Sequence, residues 1–184
     1  VANDHGASDR CAVDRVRHPA CEQGREHRGG WSGRRGISGS HRQTRYTLRM
    51  SVWKQRLVRS LHVSRGHADA RYFQIATVDS KGLPDNRTVV FRGFDEQDPL
   101  ALLTVTDTRS EKVQHLLELP VVSVAWYFRK TREQYRFRGT AELRVDASCS
   151  VDKTATSIVV ADVSDVWERL SDAAREQFFW PRPG

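Results

Sequence analysis

The chain has 184 residues, 38% of them hydrophobic and 29% charged, with a formal net charge of +7. That length suits one domain, and no apolar run approaches the ~18 residues of a membrane helix, so a soluble protein is expected. The charge is uneven: residues 1–49 hold ten arginines and five acids, a net of +5, and the remainder is nearly balanced at +2. Global charge therefore argues only weakly for a nucleic-acid partner. Cys11, Cys21 and Cys149 form no CxxC or Cys/His zinc spacing, so neither a metal site nor a disulfide framework is expected, and a reducing, cytoplasmic setting is the simplest reading.

Residues 1–49 lack hydrophobic periodicity and are rich in Arg, His, Gly and Ser, which predicts a disordered or non-native extension. Met50 is the only methionine, and patterned sequence follows it. One reading makes Met50 the natural start. The other makes 1–49 an organellar import segment, which its five acids and early glycines count against.

Residues 50–184 read as the domain. Val52/Trp53, Leu57/Val58 and Leu61 predict an amphipathic helix. Tyr72 to Val78 reads as a strand, Asp79-Ser80-Lys81-Gly82 as a turn, and Asn86 to Phe94 as the returning strand of a hairpin. Leu100 to Thr106 is a third strand. Thr108 and Glu111 have the spacing of a capping box at a helix start, and Pro120 ends that helix. Val121 to Phe128 and Gln134 to Val145 are two further strands, and about 152–179 has helical tendency, with Ser171 capping a short final helix. Five strands with short links and one intervening helix predict a mainly β fold: a small antiparallel barrel with peripheral helices.

Two basic groups stand out: Arg87 and Arg92 in the second strand, and Arg109 and Lys112 at the helix start. A helix N-terminus already carries partial positive charge, so cations there imply an anion between them and the free N–H groups. Thr108 and Ser110 add hydroxyls, and together these groups suit a phosphate monoester, the alternative being a surface helix start with solvated bases. Strict alternation puts Arg87 and Arg92 on opposite faces unless a bulge intervenes. Gln134, beside Trp126-Tyr127-Phe128, could address a flat heterocycle. His62, His67 and His115 have no partner pattern and read as surface or packing residues. No catalytic acid, base or nucleophile constellation is evident, so catalytic residues stay unassigned.

The ordered set Ala76-Thr77-Val78-Asp79, Asn86 to Phe94, Thr106 to Lys112, Trp126-Tyr127-Phe128 with Gln134, and Leu170 to Gly184 resembles the FMN-binding split β-barrel of the pyridoxamine 5'-phosphate oxidase-like family. It looks closest to a subfamily of poorly characterised FMN-binding domains, over about 52–184. The resemblance implies FMN as cofactor, with Arg87, Thr106, Ser110 and Lys112 at its phosphate. It places Thr88, Val89, Val90 and Arg92 along its length and Gln134 at its ring. It also implies a homodimer with FMN at the interface. Arg92 stands where the oxidase has a substrate-contacting lysine, which puts vitamin B6 specificity in doubt. The family continues for two or more strands past the position of Gly184, so a C-terminally incomplete barrel is expected. Three functions follow: a flavin-dependent oxidoreductase acting on a small substrate, phosphorylated or not; a non-catalytic flavin carrier or sensor; and a nucleic-acid-binding barrel using its arginines.

Overall fold

The computed structural model describes residues 11–17, 51–151, 154–155, 157–161 and 163–181. Eight strands form one sheet: β1 (Cys11–Arg17), β2 (Tyr72–Val78), β3 (Pro84–Val90), β4 (Gly93–Phe94), β5 (Leu102–Asp107), β6 (Val121–Phe128), β7 (Glu133–Val145) and β8 (Ile158–Val160). Helices α1 (Val52–Val63), α2 (Glu111–Glu118), α3 (Ser164–Glu168) and α4 (Asp172–Glu176) surround it. The strand order is β3-β2-β6-β7-β1-β5-β4, with β8 pairing β7.

The sheet curls into a barrel because its two ends are consecutive in the chain. Phe91 N–H donates to Arg71 O at 2.7 Å on the β2 side, and Arg92 N–H donates to Leu103 O at 2.9 Å on the β5 side. The predicted strand of 86–94 is thus split into β3 and β4 at this corner. Gly93 takes φ +151° there, a conformation side chains rarely adopt. The β2–β3 turn is held by Asp79 Oδ1, which accepts from Lys81 and Leu83 N–H, with Gly82 at φ +81°.

Alternation along the strands sorts the residues onto two faces. Phe73 and Ile75 of β2, Val122, Val124, Trp126 and Phe128 of β6, and Phe137 and Leu143 of β7 turn inward and form the core. Trp126 is fully buried, packs against Phe73, Phe91 and Phe128, and donates its indole N–H to Ala70 O at 3.0 Å. Leu57 of α1 and Val113 and Leu116 of α2 close the same core. A second, small cluster of Trp167, Leu170 and Phe178 packs against Val105 on the outer face of β5.

Three sequence expectations need correction. Within the stretch read as disordered, residues 11–17 form β1, which lies between β5 and β7 in the middle of the sheet; the rest of 1–49 lies outside the described residues. Ala12, Val13, Asp14, Arg15 and Val16 are all buried, so a short run without alternation becomes a strand only when two long-range neighbours supply the ladder. The second correction concerns α2, which begins after Ser110, with no side-chain capping bond, rather than at Thr108. In the third, the helical tendency of 152–179 yields β8 and then α3 and α4; Ser171 does cap α4, accepting from Ala174 N–H.

Candidate functional site

The inner face gathers the phosphate-type groups around α2. Arg87 projects inward at half-burial, since it lies opposite buried Ile75 in the β2–β3 register. It pairs with Asp85 and donates to Thr77 Oγ1 at 2.7 Å. Thr77 Oγ1 is in turn 2.9 Å from His115 Nδ1 on α2. Arginine has only donors, so the Thr77 oxygen accepts from it and keeps its own proton for the imidazole when Nδ1 is bare. This relay ties Arg87 to the helix whose first turn carries Lys112, three residues before His115 and so on a neighbouring position of the helix surface. Thr106 Oγ1 and Ser110 Oγ lie 3.3 Å apart beside that turn.

Both cations at the helix start already have partners. Arg109 is bound to Asp107 at 2.6 Å and donates to the carbonyls of Phe178 and Trp180 at 3.2 and 3.0 Å. It thereby anchors the C-terminal segment. Lys112, only 5% exposed, pairs with fully buried Asp14 at 2.6 Å. The unfavourable placement that implied a bound anion is therefore answered within the chain by two carboxylates. Thr104 Oγ1 donates to the same Asp14 Oδ2 at 3.0 Å.

The other expected cofactor residues lie elsewhere. Val89 is buried in the core. Thr88 and Val90 face outward on β3, opposite Gln74 and Tyr72. Gln134 also faces outward, directly opposite the exposed Tyr127. Val90 pairs with Tyr72 and Gln134 with Tyr127, so these residues lie on the outer face, at the β2–β3 and β6–β7 pairings respectively. Arg92 is exposed at the barrel corner. The nine residues thus divide between two faces of one sheet, and a single protomer does not bring Gln134 and Lys112 to one ligand.

Gln134 is flanked by a half-buried network at the start of β7. Ser60 of α1 donates to Glu133 Oε2, and Tyr135 OH donates to the same oxygen at 3.1 Å. The Ser60 hydroxyl, against the opposing effect of burial and with help from Tyr135 and Thr131, holds the Glu133 carboxyl below its ordinary range. Burial pushes the Tyr135 phenol up. A cavity of about 360 Å³ adjoins Tyr127, lined also by Ser64, His67, Ala70, Phe128 and Arg129.

On the outer face behind Asp14, Arg15 reaches Asp95 at 2.9 Å and Glu142 at 3.3 Å, and Arg144 reaches Asp95 at 2.6 Å. Burial raises the Asp95 carboxyl, but the N–H groups of Asp98 and Gln97, with Arg144 and Arg15, outweigh it and hold the group below its usual value. Asp14 and Thr104 were not singled out by sequence reasoning, Thr77 entered only within the family-like run 76–79, and His115, read as lacking a partner pattern, is bonded to Thr77. Of Asp14 and Thr104, only Asp14 left a signal, in the seven-residue run 11–17 free of Gly and Pro and carrying Val13 and Val16.

Comparison with known proteins agrees with this architecture. Residues 50–145 match the family described as pyridoxamine 5'-phosphate oxidase, FMN-binding domain. A solved pyridoxamine 5'-phosphate oxidase-related, FMN-binding protein from Nostoc punctiforme PCC 73102 is 38% identical and superposes with a TM-score of 0.60, covering 74% of this chain and 68% of that one. The fold is the FMN-binding split β-barrel, and the chain belongs to this family, with FMN as its cofactor. Pyridoxine/pyridoxamine 5'-phosphate oxidase 2 of Arabidopsis thaliana is 36% identical over 135 residues, 73% of this chain and 65% of that protein. The pyridoxine/pyridoxamine 5'-phosphate oxidase of Caulobacter vibrioides (strain NA1000 / CB15N) is 34% identical over 56% of this chain and 47% of its own length. The chain therefore spans between about half and two thirds of these two relatives.

Proposed function

We propose that this chain is an FMN-dependent oxidoreductase of the pyridoxamine 5'-phosphate oxidase class, acting on a small substrate and working as a homodimer. The observation that carries the site assignment is the inner-face assembly at α2: Arg87 linked through Thr77 to His115, with Thr106, Ser110 and Lys112 beside the helix start. Two cations, two hydroxyls and a helix N-terminus fit the phosphate of FMN in charge and donor type. When bound, FMN supplies the redox chemistry at its ring. Arg87 and Lys112 hold and orient its phosphate end, and the fixed start of β7 presents Gln134 as an amide to a ring.

The two-faced layout supports the dimer. Gln134 sits on the outer face among the half-exposed Tyr72 and Tyr127, so a second copy laid against that face would bring its Gln134 to a ligand held by the first. The cavity beside Tyr127, the residue paired with Gln134 across β6 and β7, suits a flat, small substrate.

Purified protein tests this. Flavin absorbance that co-purifies, and falls with Arg87→Ala or with Gln134→Ala in a dimer, is the expected result. Failure to take up flavin in titration, together with salt-sensitive binding of single-stranded nucleic acid, would overturn it in favour of a nucleic-acid-binding barrel. A flavin-bound protein without turnover of pyridoxamine phosphate or related amines would be a carrier or sensor.

A further inference from the structure

Asp14 and Lys112 form the most deeply buried ion pair of the described residues, and only one side of it belongs to the phosphate site. Asp14 is fully buried and reaches Lys112 Nζ at 2.6 Å from Oδ2, the same oxygen that accepts from Thr104. Its other oxygen, Oδ1, has no hydrogen-bond partner among the described residues. A buried carboxylate with one oxygen doubly used and the other bare is incompletely stabilised. It neutralises the ammonium while gaining less than a well-cradled anion would.

We propose that β1 regulates the phosphate site by internal competition: the Asp14 carboxylate occupies the Lys112 ammonium, and FMN phosphate engages Lys112 only as β1 loosens. The inference rests on the assignment of Lys112 to the FMN phosphate. Two anions sharing one buried ammonium repel strongly in a medium of low dielectric, so the phosphate and Asp14 exclude one another. The inner face around Asp14 offers Lys112 as its cation and Thr104 as its hydroxyl. The outer face holds β1 separately, through Arg15 to Asp95 and Glu142 and through Arg17 to Glu142 at 3.0 Å. Phosphate therefore works against the outer clamp, which sets how readily β1 yields. β2 joins β3 and β6 joins β7 through short turns, whereas β1 is separated from α1 by residues 18–51.

The test compares the full chain with Asp14→Asn, which keeps the shape and removes the charge, titrating each with FMN and, in parallel, with inorganic phosphate. Both ligands are expected to bind the Asn form at least tenfold more tightly. In the unmodified chain, amide hydrogen exchange of residues 12–16 is expected to speed up on saturation with FMN, which decides the matter even if Asp14→Asn does not fold. Equal or weaker phosphate binding by a folded Asp14→Asn protein would overturn the proposal, as would unchanged β1 protection in the FMN-saturated chain. Tighter phosphate binding without any flavin binding would support the competition while overturning the FMN assignment.

Discussion

Strands β2, β3, β6 and β7 pair largely with near neighbours in sequence, through turns at 79–83 and 129–132, and fill their shared inner face with aromatic and branched side chains. Strands β1, β5 and β4 are assembled differently. The bonds of β1 to Thr104 and Lys112 span 90 and 98 positions, and its two faces carry a buried ion pair inside and an Arg/Asp/Glu clamp outside. The first half is stabilised mainly by apolar burial, with Arg87 and its partners Asp85 and Thr77 at its margin. The second relies on paired charges, which contribute little net stability when intact but cost heavily when one partner is lost. A site that must admit an anion belongs on the second kind of surface, and the phosphate-type groups lie where the two halves meet at α2.

The contrast can be broken at either end. The largest effect is expected from Trp126→Ala, which removes the central ring of the apolar half and should cost about 3–5 kcal/mol. Chemical denaturation should show both halves unfolding together, because α1, α2 and β5 share that core; loss of β2–β6 pairing alone would contradict a single core. Next comes Lys112→Met, which strands the buried Asp14 charge and is expected to cost about 3 kcal/mol. The double variant Asp14→Leu/Lys112→Met should recover most of that loss in the same assay. If it is no better than the single variant, the pair is not the source of the penalty.

Asp95→Asn sharpens the comparison through pH. The folded carboxyl of Asp95 is held below its ordinary value, so its contribution is complete above about pH 3.9, the unfolded value, and is lost as the pH falls through the folded one. The variant is expected to lose about 2 kcal/mol at neutral pH and to show a flatter acid limb in thermal unfolding. An unchanged acid limb would remove Asp95 from the clamp. The smallest effect is expected from Ser171→Ala, which deletes the cap of α4 and should cost about 1 kcal/mol or less. That change should be confined to hydrogen exchange in the C-terminal cover over Val105.

Legibility in the sequence followed the same division. Tyr72–Val78 and Val121–Phe128 are the strands that the pattern predicted, residue for residue, because strict alternation and turn residues are local signals. The split of 86–94 at Phe91 and Arg92 was not visible, since it comes from exchanging Arg71 for Leu103 as backbone partner. The order of motifs from Arg87 to Gln134 announced the family. It did not show that Thr88, Val90 and Gln134 face away from Arg87 and Lys112, although period-two alternation already separated Arg87 from its neighbours.

By itself, then, the sequence determined a mainly β barrel with peripheral helices, the FMN-binding family, and the residue types that a phosphate and a flat ring require. Those features depend on spacing along the chain, and spacing is all that a sequence displays. Only the tertiary structure decided that residues 11–17 join the sheet, that Asp14 meets Lys112, and that Thr77 and His115 connect Arg87 to α2. The Asp14–Lys112 and Thr77–His115 contacts pair residues 98 and 38 positions apart, separations at which spacing along the chain gives no signal. Burial of a charge beside its partner is a property of the assembled sheet and its helices and not of either segment alone.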